Sequence, residues 1–186
     1  MTDTGGALLA EPTPDLAAYR AAMGRFPTGV TLLTQGSGDD TVVTTVNSLT
    51  SVSLNPTLLL VSVRTDARIL PRVRRGGGFA VNVLSEAQRP LAEEFCRHER
   101  PEGQAAMLRT GAVEGDLGHA VIPSAEASFE CELYDEHEAG DHVLLIGRVI
   151  ALHDCAGAPD PLLFHRGGYA RIGPAQPESA SQGRAA

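Results

Sequence analysis

Apolar residues recur along the chain with two different periods, and the switches between them divide it into elements. From Leu16 to Phe26, LAAYRAAMGRF sets Leu16, Tyr19, Met23 and Phe26 three and four positions apart, the spacing of one helical face. Thr13 and Pro14 precede it as N-cap and first helical residue, and Pro27-Thr28-Gly29 closes it. GVTLLT and TVVTTV are rich in β-branched residues and predict two strands, with QGSGDD as the turn between them. The polar stretch from Asn47 to Asn55 predicts a loop, and LLLVSV beyond Pro56 a buried strand. A short helix is expected over 66–75, with Pro71 counting against it. Gly76-Gly77-Gly78 then returns the chain to a strand, FAVNVL.

Ser85 and Gln88 form a capping-box pattern at the head of a predicted helix, SEAQRPLAEEFCRH. Residues 101–124 follow neither period and predict no element. ASFECELY alternates, with Phe129, Cys131 and Leu133 on one face and Glu130, Glu132 and Tyr134 on the other. HVLLIGRVIAL reads as its hairpin partner and LLFHRGGY as a last short strand. Many strands joined by hairpins, with two or three helices, predict a mainly β chain with some α: an antiparallel barrel with helical decorations. A doubly wound fold would need regularly alternating helices. The Pro-, Ser-, Gly- and Ala-rich stretches 1–12 and 174–186 read as tails around one domain over 13–173.

A net charge of −8 argues against general affinity for nucleic acid or anionic membrane, both of which call for a basic face. Arg72, Arg74 and Arg75 form a local basic cluster that could hold a small anion. No apolar run reaches the ~18–20 residues of a membrane helix, and MTDTGGALLAEPTPD lacks the positive start of a secretory signal. Cys96, Cys131 and Cys155 are odd in number and widely spaced, so reduced thiols in a cytoplasmic protein are expected.

A dinucleotide fingerprint fails at Gly36 and Gly38, because position 41 is Thr and the segment joins two strands instead of opening a helix. TTVNSLTSVSLNP, residues 44–56, is more informative. It supplies Thr44, Thr45, Asn47, Ser48, Thr50, Ser51 and Ser53 at a strand exit. Hydroxyls, an amide and free backbone N–H groups make a neutral cradle for a phosphate or a heteroaromatic edge, and they equally make a loop that bonds its own backbone. In RRGGGF the arginines and glycines fit an ordinary helix C-terminus. His137 and His142, among Glu136, Glu138 and Asp141, lack the spacing of a metal site, so no metal is expected.

RFPTGVTLLT, TTVNSLTSVSLNPTLLLVSV, GGFAVNVLSEAQRPLAEEF, GDHVLLIGRV and LLFHRGGYARI, taken in order, resemble the short-chain flavin reductase family. Its members are the NAD(P)H:flavin oxidoreductase components of two-component flavin-dependent monooxygenases. The resemblance implies the FMN-binding split barrel, a homodimer, FAD or FMN, and NADH or NADPH as reductant. It also implies delivery of reduced flavin to a separate monooxygenase. It places Thr45, Val46, Asn47 and Ser48 on the flavin ring and ribityl chain, and Ser51 and Ser53 toward the phosphate. Thr28 and Gly29 would approach from the preceding strand, with Ser62, Val63, Phe79 and Ala80 adding backbone and packing contacts. His142 matches the histidine beside the nicotinamide, Gly140 and Asp141 shape its turn, and Arg166 and Tyr169 close the pocket. Val43, Thr57 and Ala67 depart from the family's usual Gly, Pro and small hydroxyl residue. The rival expectation is a flavin or nucleotide binder without catalysis, which would need the 44–53 loop but not Gly140-Asp141-His142.

Overall fold

A computed structural model describes residues 14–154 and 160–173. Helix α1 (Leu16–Met23) opens it. Its N-cap is Asp15, whose carboxylate accepts the N–H of Ala18 at 3.0 Å. This corrects the expected start: a carboxylate two residues later reaches the free N–H groups, and Thr13 lies outside the described residues. The apolar stripe exists, but none of the described residues covers it. Leu16, Tyr19, Met23 and, just beyond the helix, Phe26 are all more than half exposed.

Seven strands form one antiparallel sheet in the order β3-β2-β6-β9-β10-β5-β4. They are β2 (Thr31–Gln35), β3 (Val42–Val46), β4 (Thr50–Leu54), β5 (Thr57–Arg64), β6 (Gly78–Val83), β9 (Ala127–Ala139) and β10 (His142–Asp154). The sheet curls until β3 lies against β5 without pairing to it, the open seam of a split barrel. A smaller sheet joins β1 (Thr28–Gly29) to the hairpin of β11 (Leu163–His165) and β12 (Gly168–Ala170). The expected single last strand is therefore two, because Arg166 at φ 51° and Gly167 at φ 79° reverse the chain.

Inside the barrel, Leu33, Val61, Phe79, Val81 and Leu145 pack with Ile69, Leu70 and Val73. Each such side chain, fully buried, contributes about 1.5–3 kcal/mol. A second core, around Leu32, Leu84, Phe95 and Ile122, fills the outer side under α3 (Arg89–Phe95) and α4 (Gly103–Thr110). Helix α2 (Leu70–Gly76) is shorter than expected and accommodates Pro71 in its first turn, where no N–H partner is needed. The capping box at Ser85 and Gln88 is present but heads a 3-10 turn, Glu86–Gln88. Pro90, in the first turn of α3, prevents one continuous helix through both.

Two expectations fail for tertiary reasons. The Asn47–Asn55 stretch is only partly loop, since its second half pairs with β5 as β4. The featureless 101–124 segment holds α4 and the small hairpin of β7 (Val113–Glu114) and β8 (Ala120–Val121). That hairpin also explains Glu130. The residue lies on the polar face of β9 yet is wholly buried, because the chain at 116–119 folds over it and directs three backbone N–H groups at its carboxylate.

Candidate active site

A cleft of about 490 Å3 opens where the ends of β3 and β5 meet the tip of the β9–β10 hairpin. Three walls define it. Thr44, Thr45 and Val46 lead from β3 into Asn47 and Ser48; Ser62, Val63 and Arg64 end β5; His142 begins β10. Arg68, Cys96, His98 and Arg100 line the far side.

The neutral wall is rigid for identifiable reasons. Strand β4 stops pairing with β5 at Thr50 opposite Leu60, so Ser62 has no ladder partner on that side. Ser48 takes its place: its hydroxyl donates to the Ser62 carbonyl and accepts the Ser62 N–H, both at 2.9 Å. Thr45 Oγ1 donates to the Ala92 carbonyl at 2.9 Å, tying β3 to α3. The Asn47 amide donates to Thr28 Oγ1 at 3.3 Å. Thr45 and Asn47 are thus each held by one side-chain bond and Ser48 by two, and all three line the cleft.

Across from this wall stands the hairpin tip. Ala139 pairs with His142, so Gly140 and Asp141 form a two-residue loop, and Gly140 at φ 66° supplies the left-handed geometry that loop demands. Asp141 Oδ1 lies 2.7 Å from His142 Nδ1, a bond that holds the Asp141 carboxyl below its usual pKa range. His142 faces Arg64 in the β5 register, and Arg64 is bound in two places by Asp66, at 2.8 and 3.1 Å.

The far wall is cationic. Arg68 Nη1 meets Glu102 at 2.6 Å and its Nη2 donates to the His98 carbonyl at 2.6 Å. Arg100 is fixed by bonds to the carbonyls of Val43 and Arg97. Burial, and then the neighbouring Arg68 charge, lower its pKa. A carboxylate or phosphate entering here would relieve that desolvation and repulsion.

Of the residues singled out from sequence, the cleft gathers Thr45, Val46, Asn47, Ser48, Ser62, Val63 and His142, with Asp141 directly behind the last. Thr28 reaches it only through Asn47, and Gly29 follows in β1. Ser51 and Ser53 lie on the edge strand β4 and do not line the cleft. Phe79 and Ala80 are wholly buried core residues of β6, so they support the walls from behind. Arg166 and Tyr169 belong to the last hairpin, where Tyr169 packs edge-on to Phe164 and under Arg89. Arg64, Asp66, Arg68, Cys96, His98 and Arg100 carried no sequence signal, being scattered over a strand end and the connections that follow strands and helices. The cluster that did stand out is elsewhere: Arg72 pairs with Asp40 and Arg74 with Glu136, while Arg72 and Arg75 line a separate hollow of about 340 Å3.

Among the described residues, Asp116, Glu130 and His153 bring one possible metal-ligand atom each within 4.8 Å of one another. The Glu130 oxygens already accept from Asp116, Leu117 and His119 N–H groups and meet His153 Nε2 at 3.0 Å. These bonds make a structural clasp around the buried Glu130 carboxylate.

Comparison with known proteins agrees with this architecture. The barrel superposes on BorF, the flavin reductase component of a bacterial two-component tryptophan halogenase, with TM-score 0.79 and 34% identity over 85% of this chain and 98% of that one. It also superposes, with TM-score 0.79 and 35% identity over 89% and 98%, on the Streptomyces globisporus C-1027 NADH:FAD oxidoreductase SgcE6, solved in complex with NAD and FAD fragments. The fold is thus the flavin-reductase split barrel. In sequence, the NADH-dependent FMN reductase AsuE2 of Streptomyces nodosus subsp. asukaensis is 45% identical over 159 residues, 86% of each chain. The flavin reductase like domain model matches residues 23–173, and the chain belongs to that family.

Proposed function

We propose that the protein is an NADH-dependent flavin reductase that passes reduced FMN or FAD to a separate monooxygenase. The observation that carries this reading is the cleft itself: a rigid neutral wall at Thr45–Ser48 faces His142, with a cationic wall at Arg68 and Arg100 at one end. Its volume of about 490 Å3 suits one flat heteroaromatic ligand, and the donors present fit a flavin. Hydroxyls, an amide and backbone groups can orient a ring edge without fixing charge on it. Arg68, His98 and Arg100 are the groups suited to an anionic phosphate.

Bound flavin supplies the chemistry, accepting hydride at N5 from the nicotinamide C4. The chain therefore needs no nucleophile and no strong acid. Ser48, Asn47 and Thr45 hold one ring in place; His142 orients the other so that the reacting atoms approach at roughly 3–3.5 Å. NADH is favoured over NADPH because the relatives AsuE2 and SgcE6 are NADH-dependent. A relative from Rhodococcus jostii that is a monooxygenase reductase subunit supports the same role for this chain. A cytoplasmic location fits the reductant, and no helix among the described residues is long and apolar enough to cross a membrane.

The reading includes a homodimer. Its support is apolar surface that one subunit leaves uncovered: the α1 stripe, with Phe26 68% exposed, and the edge strand β4, with Leu54 87% exposed. Long apolar edges and unpaired helix faces call for a partner. The test of function follows NADH consumption at its near-ultraviolet band, with and without each flavin. Flavin-dependent consumption, lost in large part on His142→Ala while flavin still binds, is the expected outcome. No consumption with either flavin would refute the reading and leave a binder without catalysis.

A further inference from the structure

The turn that carries His142 does not need a carboxylate to hold its shape. Gly140 provides the left-handed residue, and the Asp141 backbone carbonyl accepts the Thr65 N–H at 3.0 Å, pinning the loop to the end of β5. The Asp141 side chain is nevertheless committed to His142 Nδ1 at 2.7 Å. The neighbouring cation that would compete for it, Arg64, is the register partner of His142 and is occupied on two nitrogens by Asp66. Arg64, His142 and two carboxylates crowd the hairpin tip, and they divide into separate pairs. His142 lines the cleft, and its second ring nitrogen, Nε2, has no hydrogen-bond partner among the described residues.

We propose that Asp141 is a positioning residue that fixes the His142 ring with Nδ1 as donor, so that neutral Nε2 faces the cleft as an acceptor for the carboxamide N–H of the nicotinamide. The inference rests on the reductase reading given above and adds to it a specific chemical contact. A carboxylate accepts only, so it selects the tautomer protonated at Nδ1. The other nitrogen then carries a lone pair, and the group on a nicotinamide that can donate to it is the amide nitrogen. The site would thereby recognise a carboxamide and discriminate against an isostere with the same carbonyl but no N–H.

The test uses the full-length protein at mildly alkaline pH. Nitrogen NMR of the ligand-free protein should place the proton on Nδ1 of His142, and Asp141→Ala should redistribute it toward Nε2. In kinetics, reduced acetylpyridine adenine dinucleotide, which replaces the carboxamide by an acetyl group, should show a KM about 5-fold above that of NADH, the size of one neutral hydrogen bond. Asp141→Ala should raise the NADH KM by a similar factor, leave kcat and oxidised-flavin affinity near wild type, and bring the two reductants to equal KM. Asp141→Asn keeps an acceptor oxygen and should restore most of the difference. Undiminished discrimination in Asp141→Ala, or a wild-type ring protonated mainly at Nε2, would overturn the proposal. Because the NMR measurement needs neither flavin nor turnover, its outcome stands apart from failure of the reductase reading, which would appear as absent flavin-dependent NADH consumption.

Discussion

Replacing Ser48 by alanine removes a hydroxyl that makes two hydrogen bonds at once, donating to the Ser62 carbonyl and accepting the Ser62 N–H at 2.9 Å each. Both backbone groups lie at the edge of β5 beyond the reach of β4, so no strand can replace the lost partner. At about 0.5–1.5 kcal/mol for each neutral bond, the substitution costs roughly 1–3 kcal/mol. Much of that falls on the order of the Asn47–Ser48 segment, which a bound flavin must then restore. Flavin affinity should therefore drop by about 5-fold or more, up to about 150-fold if the whole loss is transferred to binding. Fluorescence titration with FMN and FAD measures it directly. Ser51→Ala is the control: Ser51 is exposed on β4 and does not line the cleft, so its titration should match wild type. Unchanged affinity in Ser48→Ala, or a larger loss in Ser51→Ala, would refute this account of the loop.

Four further outcomes rest on other parts of the fold. Burial alone would raise the Glu130 pKa, but His153 and the N–H groups of Leu117, Asp116 and His119 outweigh it and hold the carboxyl below its usual range. Its stabilisation is therefore present above about pH 4.5 and lost as pH falls through the lowered folded value, so Glu130→Gln should cost about 3 kcal/mol at neutral pH and less in acid by urea unfolding; a pH-independent cost would contradict this. A Cβ at Gly147 would stand 2.7 Å from Phe79 Cζ and 2.8 Å from Cys131 Cβ, so Gly147→Ala should lower Tm by about 5 °C or more, and an unchanged melt would show that the core yields there. Burial pushes the Cys131 thiol up to about 12, whereas Cys96 is exposed in the cleft, so iodoacetamide should label Cys96 in preference to Cys131, and FMN should slow that labelling. Leu54→Glu together with Phe26→Glu should shift the protein from dimer to monomer in light scattering, and a monomeric wild type would remove the homodimer from the reading.

What the sequence could and could not reveal divides along the range of the interactions involved. The strands were legible because a barrel strand buries alternate residues, and Leu59, Val61 and Val63 of β5 or Val143 and Leu145 of β10 keep that period wherever the rest of the chain lies. The neutral wall and the histidine were legible because Thr45–Ser48 and Gly140–His142 are each contiguous, so a local pattern carries a local geometry. The cationic wall was not. Arg68 and Arg100 sit 32 residues apart in stretches without period, and they meet only because β5, α3 and the start of α4 converge on the open seam of the barrel. Arg72, Arg74 and Arg75 looked the better anion site for the opposite reason: adjacency in sequence suggested a cluster, and folding dispersed it against Asp40 and Glu136. Glu130 shows the same limit from within a strand, since alternation predicts an exposed carboxylate and only the distant 116–119 segment makes it a buried one. The reaction asks most of contiguous segments that orient flat rings, so the part of the site that bears on hydride transfer is the part a sequence can carry. The part that selects the ligand's anionic end is assembled from distant segments of the chain, and it is there that substitutions should change which flavin is preferred without slowing the transfer itself.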